Sequence, residues 1–157
     1  MIVVSDTTII SNLFQADLLY ILPALYQDVI IPKAVALELT RLDDTLPGAI
    51  AWLQVRVVGE SGRVEAMQDF LDRGESEAIV LAQELRADWL LIDERRGRRY
   101  AKELRINITG TMGVLLAAKQ AGLIPAVEMA IRAIQQKAGA WYHTSLIQEV
   151  LQQAHER

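Results

Sequence analysis

The sequence predicts an α/β fold, a three-layer sandwich with a mainly parallel central sheet flanked by helices. Short apolar runs rich in β-branched residues alternate with stretches of helical periodicity, which is the pattern of strand–helix–strand units. Two of these runs end directly in an aspartate, as strands of a parallel sheet often do at a ligand site. With 52% hydrophobic and 23% charged residues, the composition is that of a globular protein with a well-filled core.

Five apolar runs are the candidate strands, because each is short, rich in valine and isoleucine, and bounded by polar residues or proline. The third run is expected at an edge of the sheet. The runs span residues 2–5, 28–31, 55–58, 89–92 and 106–108.

Stretches with apolar residues every three or four positions are the candidate helices. The stretches span residues 18–26, 33–41, 61–71, 75–85, 95–104, 111–120, 127–137 and 145–155. Thr7 and Thr8 offer hydroxyls that could cap a further helix after the first strand. Pro23 predicts a kink or a break between two short helices, and residues 50–53 are expected to be helical.

The length of 157 residues fits one domain, and the chain has no internal repeat or low-complexity tract. We therefore predict a single domain over residues 1–157, with residues 140–157 forming a C-terminal helical extension. Residues 137–144 are the one plausible linker. The last helix is expected either to pack on the body or to project toward a partner.

Several classes of function are excluded by composition. The chain has no cysteine, so disulfides, thiolate zinc sites and cysteine nucleophiles are ruled out. The first residues carry no basic leader, and no apolar run approaches the roughly 18 residues of a membrane span, so a cytoplasmic protein without membrane contact is expected. The net charge of −4 leaves nucleic-acid binding open, because cations bound at an acidic site reverse the local field.

Four acidic residues form the candidate site. Asp6 and Asp93 each follow a strand, so their side chains are expected at the same edge of a parallel sheet. Glu38 and Glu77 lie on helices between apolar neighbours, where a desolvated charge is costly unless it is paired or bound to metal. Each acid alone is more often a helix cap or a solvated residue, so the prediction depends on all four together.

An all-carboxylate site without histidine or cysteine favours Mg²⁺ or Mn²⁺ over zinc. Such an ion can activate water for phosphodiester cleavage and neutralise the charge that develops. The sequence thus indicates metal-dependent chemistry on phosphate esters.

The densest positive run follows Asp93 directly. On a helix, Arg95, Arg98 or Arg99, and Lys102 share one face that could hold backbone phosphates. A solvated face with ion pairs is the alternative. The segment Trp141–Tyr142 is a candidate for base stacking, and it suits a dimer or partner contact equally well.

The motifs VVSDTT, IPKAVALEL, GESEAIVLA and LLIDERRGRRYA, with INITGTMGVLLAAKQAGLIP, resemble those of PIN domains. The order of acids over about residues 1–125 is similar to a VapC-like branch of short prokaryotic PIN proteins. The resemblance implies a Mg²⁺- or Mn²⁺-dependent endoribonuclease. It makes Asp6, Glu38, Glu77 and Asp93 the catalytic metal ligands, with Glu75 as the alternative to Glu77.

The same resemblance implies RNA as substrate, with Thr7, Arg95, Arg98 and Arg99 as substrate-binding residues. It also implies a toxin of a toxin–antitoxin pair, an antitoxin partner and a homodimer. Leu91 stands where many relatives carry threonine or serine. A catalytically weak or inactive PIN scaffold that binds nucleic acid or protein is therefore the alternative.

Overall fold

The computed structural model describes all 157 residues and contains one five-stranded sheet in the order β3-β2-β1-β4-β5, with every neighbouring pair parallel. The α/β class and the parallel sheet are therefore confirmed. The strands are β1 (Val3–Ser5), β2 (Val29–Pro32), β3 (Leu53–Arg56), β4 (Trp89–Leu91) and β5 (Ile108–Thr109).

Nine helices flank the sheet, and none has the length and apolar character needed to cross a bilayer. The helices are α1 (Thr7–Gln15), α2 (Ile21–Tyr26), α3 (Lys33–Leu42), α4 (Ser61–Met67), α5 (Arg73–Glu84), α6 (Arg95–Glu103), α7 (Thr111–Gln120), α8 (Val127–Lys137) and α9 (Thr144–Gln153).

The two faces of the sheet carry separate hydrophobic cores because successive strand residues point to opposite sides. Val3 and Leu91 enter a core of 25 buried residues with α1, α2, α7, α8 and α9. Val4 and Leu90 enter a second core of 13 buried residues with α4, α5 and α6. This arrangement of helices, sheet and helices is the three-layer sandwich that the alternating pattern predicted.

The strand order places a topological switch point between β1 and β4. From β1 the chain moves outward to β2 and β3, then returns to the other side of β1 as β4, with Val4 opposite Leu90. Ligands of open α/β sheets bind at such a crevice, beyond the carboxyl ends of the strands. Asp6 and Asp93 follow these two strands, so the fold brings both to this crevice.

Two local predictions are wrong. Residues 50–53 are not helical, because Leu53 pairs with Val29 at the start of β3 and is buried there. The first helix is not capped by Thr7 or Thr8. Its N-cap is Asp6, whose carboxylate accepts the Thr7 N–H, since Asp6 is the last residue with extended backbone.

The C-terminal helix packs on the body. Val150, Leu151 and Ala154 of α9 belong to the larger core. Glu156 accepts the N–H groups of Val127 and Glu128 at 2.7 and 3.0 Å, and its carboxylate thereby caps α8.

Candidate active site

Asp6 lies at the centre of the site. The buried end of β1 carries it, and its side chain is 4% exposed. One carboxylate oxygen accepts the Thr7 N–H at 2.7 Å, and the backbone N–H of Asp6 donates to the carbonyl oxygen of Leu91 at 2.9 Å. Asp6 has no basic partner, so its charge is uncompensated by the protein.

Asp93, just beyond β4, is held by the start of α7. Its Oδ1 accepts the Thr111 N–H at 2.7 Å, and its Oδ2 accepts the Thr111 hydroxyl. A Cβ on Gly110 would lie 2.7 Å from Asp93 Oδ1, so only glycine leaves room for this carboxylate. These contacts fix the orientation of Asp93.

Glu38 reaches the site from the middle of α3. The hydroxyl of Thr7 donates to Glu38 Oε2 at 2.5 Å. The opposite oxygen, Oε1, would be 2.6 Å from a Cβ on Gly74, so this glycine admits the Glu38 carboxylate against the first turn of α5. Thr7 therefore orients Glu38, and its hydroxyl is already engaged.

Glu75 is the fourth acid that the structure brings to this site. It lies in the first turn of α5, which begins at Arg73 and is capped by the carboxylate of Asp72. Glu75 is 6% exposed, and its Oε2 is the one buried side-chain polar atom without a hydrogen-bond partner.

Glu77 points elsewhere. Its Oε1 accepts the Ala34 N–H at 3.0 Å, at the beginning of α3, and its Oε2 pairs with Arg73 at 2.9 Å. Residues two apart on a helix are about 200° apart, so Glu75 and Glu77 cannot face the same side. The structure thus places Glu75, the alternative residue, among the other acids, and it places Glu77 in a structural ion pair.

Burial and the proximity of like charges raise the pKa values of two acids of the site. The pKa of Asp6 is raised from 3.8 to about 7, mainly by burial, with the charges of Asp72, Glu38 and Asp93 adding to the rise and the Thr7 N–H opposing it. The pKa of Glu75 is raised from 4.5 to about 8, mainly by burial and also by its side-chain hydrogen bond to Asp72 and the charges of Asp72 and Asp6, while its backbone hydrogen bond to Asp72 opposes the rise. Both groups are therefore harder to ionise than ordinary carboxyls, and a bound cation would favour their ionised form.

The donor set suits a hard divalent cation, since it consists of carboxylates with no histidine or cysteine. The unpartnered Glu75 Oε2 is available as a ligand. In this structure no three acidic or histidine side chains lie close enough together to hold one ion. The chemistry of the residues fits a divalent metal ion.

The basic residues expected to bind substrate lie on α6, beside Asp93. Arg95 and Arg99 are exposed, and Arg98 is half-buried, with Nη1 donating to the carbonyl oxygen of Ile92 at 2.9 Å. None of these arginines forms a salt bridge within the protein. Together with Lys102 they line a groove that also reaches Asp93.

Sequence reasoning missed two polar residues of the site, Asp72 and Thr111, and it named Tyr142 only as a candidate for base stacking or a partner contact. Asp72 could have been found as a cap, because aspartate before a helix commonly accepts its first N–H groups. Tyr142 follows Asp93 by 49 positions, and its hydroxyl accepts from Asn12 Nδ2 at 3.5 Å. No local pattern predicts that contact.

The protein is a doubly wound α/β protein with acidic residues in the crevice at the switch point of its sheet, where such folds bind ligands. The chain belongs to the PIN-domain family, whose model matches residues 2–156. PIN domains are generally nucleases that use divalent metal ions. No curated protein and no solved structure gives a significant match.

Proposed function

We propose that this PIN domain is an endoribonuclease that hydrolyses phosphodiester bonds of RNA with Mg²⁺ or Mn²⁺. One observation carries the proposal. Asp6 and Glu75 are buried beside each other's charge at the switch point, without a basic partner, and one oxygen of Glu75 has no partner at all. Such carboxylates are costly in a protein unless a cation joins them.

The cation would be held by Asp6, Glu75 and Asp93. Glu38, which the Thr7 hydroxyl orients, would be a further ligand. When bound, the cation supplies a water of lowered pKa and neutralises charge on the phosphate. Thr111 holds Asp93 in place, and Thr7 holds Glu38. Arg95, Arg98 and Arg99 of α6 lie beside Asp93 and would bind the phosphates of the RNA backbone.

The test compares cleavage of mixed cellular RNA with Mn²⁺ and with EDTA, using the wild type, Asp6→Asn and Asp69→Asn. Asp69 is an exposed aspartate with no ion pair, so its substitution is the same chemical change outside the site. We expect cleavage only with Mn²⁺, retained by Asp69→Asn and lost by Asp6→Asn. Cleavage that persists in EDTA or in Asp6→Asn would contradict the proposal.

A PIN scaffold that binds RNA with weak or no cleavage is the second candidate. Two observations favour it, namely the absence of three converging ligands and the apolar Leu91 two residues before Asp93. RNA binding by the wild type without cleavage at any Mn²⁺ concentration would establish this alternative.

We further propose that the protein is the toxin of a toxin–antitoxin pair and forms a homodimer, as the resemblance to the VapC-like branch implies. An antitoxin would then dock near the site and be encoded beside it. Growth arrest on expression, relieved by co-expression of the neighbouring gene and absent in Asp6→Asn, is the expected result. Growth unaffected by active protein would contradict the toxin role.

A further inference from the structure

A cleft of about 660 Å³ opens beside Asp93, between α6, α7 and the segment before α9. Its size is within the range of roughly 300–1,000 Å³ for small-molecule sites. Arg95 and Arg98 line one side, and Met112 and Trp141 contribute apolar surface to it. The carboxylates of Asp93 and Glu94 line the cleft too, so an anionic ligand with a flat apolar group would place its charge at the arginines and its apolar group at Trp141.

Trp141 is the most exposed large hydrophobic residue, at 79%. Its ring makes an edge contact with His143, with ring centroids 5.9 Å apart and planes at 76°. The His143 ring nitrogen in turn accepts the Ser145 N–H at the start of α9. The indole thus has one aromatic neighbour, and most of its surface faces solvent.

The next residue, Tyr142, anchors this segment to the site. Its side chain is half-buried, and its hydroxyl is bonded to Asn12 of α1. Burial and the charge of Asp93 raise the pKa of Tyr142 to about 12, so the hydroxyl stays neutral. The contact places this segment in the same cleft as Asp93.

The basic side of the cleft is available to an anion. Neither Arg95 nor Arg98 has an acidic partner within salt-bridge distance. Arg98 Nη1 donates to the Ile92 carbonyl oxygen at 2.9 Å, and Gly110 leaves room for the guanidinium, because a Cβ at this position would lie 2.8 Å from Nη1. One held arginine, a second exposed arginine and an exposed indole in one cleft match the phosphate and the base of a nucleotide.

We propose that this cleft is a nucleotide subsite, in which one base stacks on Trp141 while Arg95 and Arg98 hold the adjoining phosphate next to Asp93. The inference rests on the proposed ribonuclease function and deepens it. Stacking uses the face of a base, which a duplex does not expose, so the subsite selects unpaired RNA.

The test measures equilibrium binding of a fluorescein-labelled, single-stranded RNA 12-mer in EDTA, where metal-dependent cleavage is stopped. The binding of the wild type is compared with that of Trp141→Ala and Trp141→Phe. Met129→Ala is the control, because Met129 is an exposed apolar residue on α8, outside the cleft. Competition by inorganic polyphosphate, an anion without bases, is measured in parallel. Light scattering gives the oligomeric state of each variant.

We expect Trp141→Ala to weaken RNA binding about 5- to 150-fold, the range for loss of one stacked base. Trp141→Phe should retain most of the affinity because a ring remains, and polyphosphate should bind all variants equally. Equal RNA binding by Trp141→Ala overturns the subsite, and a loss for RNA and polyphosphate alike also overturns it.

A Trp141→Ala variant that keeps RNA affinity but changes oligomeric state would instead assign Trp141 to a protein contact. Failure of the wild type to bind RNA would overturn both the subsite and the RNA function. Cleavage by the wild type together with unchanged binding by Trp141→Ala would leave the ribonuclease proposal standing without the subsite.

Discussion

Glu75 lies against Gly97, and its Oε2 is 2.8 Å from the position that a Cβ on this glycine would occupy. The same Cβ would meet Ile92 Cδ1 at 2.7 Å. The contact joins the first turns of α5 and α6 beneath the acidic crevice. It therefore links the packing of the smaller core to the position of a proposed metal ligand.

Gly97→Ala is expected to lower the free energy of unfolding by about 1–2 kcal/mol, because overpacking outweighs the better helix propensity of alanine. It should also weaken Mn²⁺ binding by displacing Glu75. Urea denaturation and Mn²⁺ titration measure the two effects. Gly62→Ala, on α4 with open space around the new methyl group, is the control and should be neutral or stabilising. An unchanged Mn²⁺ affinity in Gly97→Ala would argue against Glu75 as ligand.

Glu75→Gln and Glu77→Gln separate the two glutamates of α5. We expect Glu75→Gln to reduce cleavage at least ~100-fold, the scale of losing an electrostatic group at a reacting centre. Glu77→Gln should keep cleavage within about 3-fold. It should lower the free energy of unfolding by about 1 kcal/mol, because the ion pair with Arg73 is lost. The reverse pattern in the cleavage rates would restore Glu77 as the ligand.

The metal-free protein should become less stable as the pH rises toward the raised pKa values of the buried acids in the site. The pKa of Asp6 is about 7 in the folded state and 3.8 in its ordinary range, so the folded chain holds a proton that the unfolded chain has released. The contribution of protonated Asp6 to the free energy of unfolding is fully present below pH 3.8 and is lost as the pH rises through about 7.

Thermal unfolding in EDTA at pH 5 and pH 8 measures this effect, and Asp6→Asn should show a smaller difference between the two values. At pH 8, Mn²⁺ should restore stability, by about 2.7 kcal/mol at a hundredfold excess over Kd. A Tm that rises from pH 5 to pH 8 in EDTA, with no Mn²⁺ effect, would contradict the buried acidic site.

Thr111→Val should weaken Mn²⁺ binding by about 10- to 100-fold, as expected for loss of a group that orients a metal ligand. Valine has the same shape but no hydroxyl, so Asp93 keeps only the backbone N–H. Thr111→Ser retains the hydroxyl and should behave nearly as wild type. Isothermal titration with Mn²⁺ decides, and equal affinities for the valine and serine variants would show that the hydroxyl does not matter.

The salt dependence of RNA binding should depend on α6. Substituting Arg99 with alanine should reduce the slope of log Kd against log salt by about 0.7, the value for one phosphate contact on single-stranded nucleic acid. Arg132→Ala is the control, since Arg132 lies on α8 and is paired with Glu128. Equal slopes for Arg99→Ala and Arg132→Ala would show that Arg99 of α6 does not contact an RNA phosphate.

The sequence predicted the strands and most helices because hydrophobic period and length are local properties. The bounds of α7 and α8 agree with the structure, whereas residues 50–53 were expected to be helical and the third strand was expected at residues 55–58 instead of Leu53–Arg56. Asp6 and Asp93 were predictable as neighbours because both follow strands. To choose between Glu75 and Glu77 one must know where α5 begins, because that determines which glutamate faces the site. The local signal was the (i, i+4) spacing of Arg73 and Glu77, which indicates an ion pair on the helix.

The contact of Tyr142 with Asn12 was not predictable, because it depends on the path of the chain from α8 to α9. It also has a kinetic consequence. The residues of the crevice lie between positions 6 and 142, so the site forms only when segments many tens of residues apart have come together. Such contacts form slowly compared with local helices. During refolding, RNA cleavage should therefore return with the last global phase, and helical circular dichroism should recover before it.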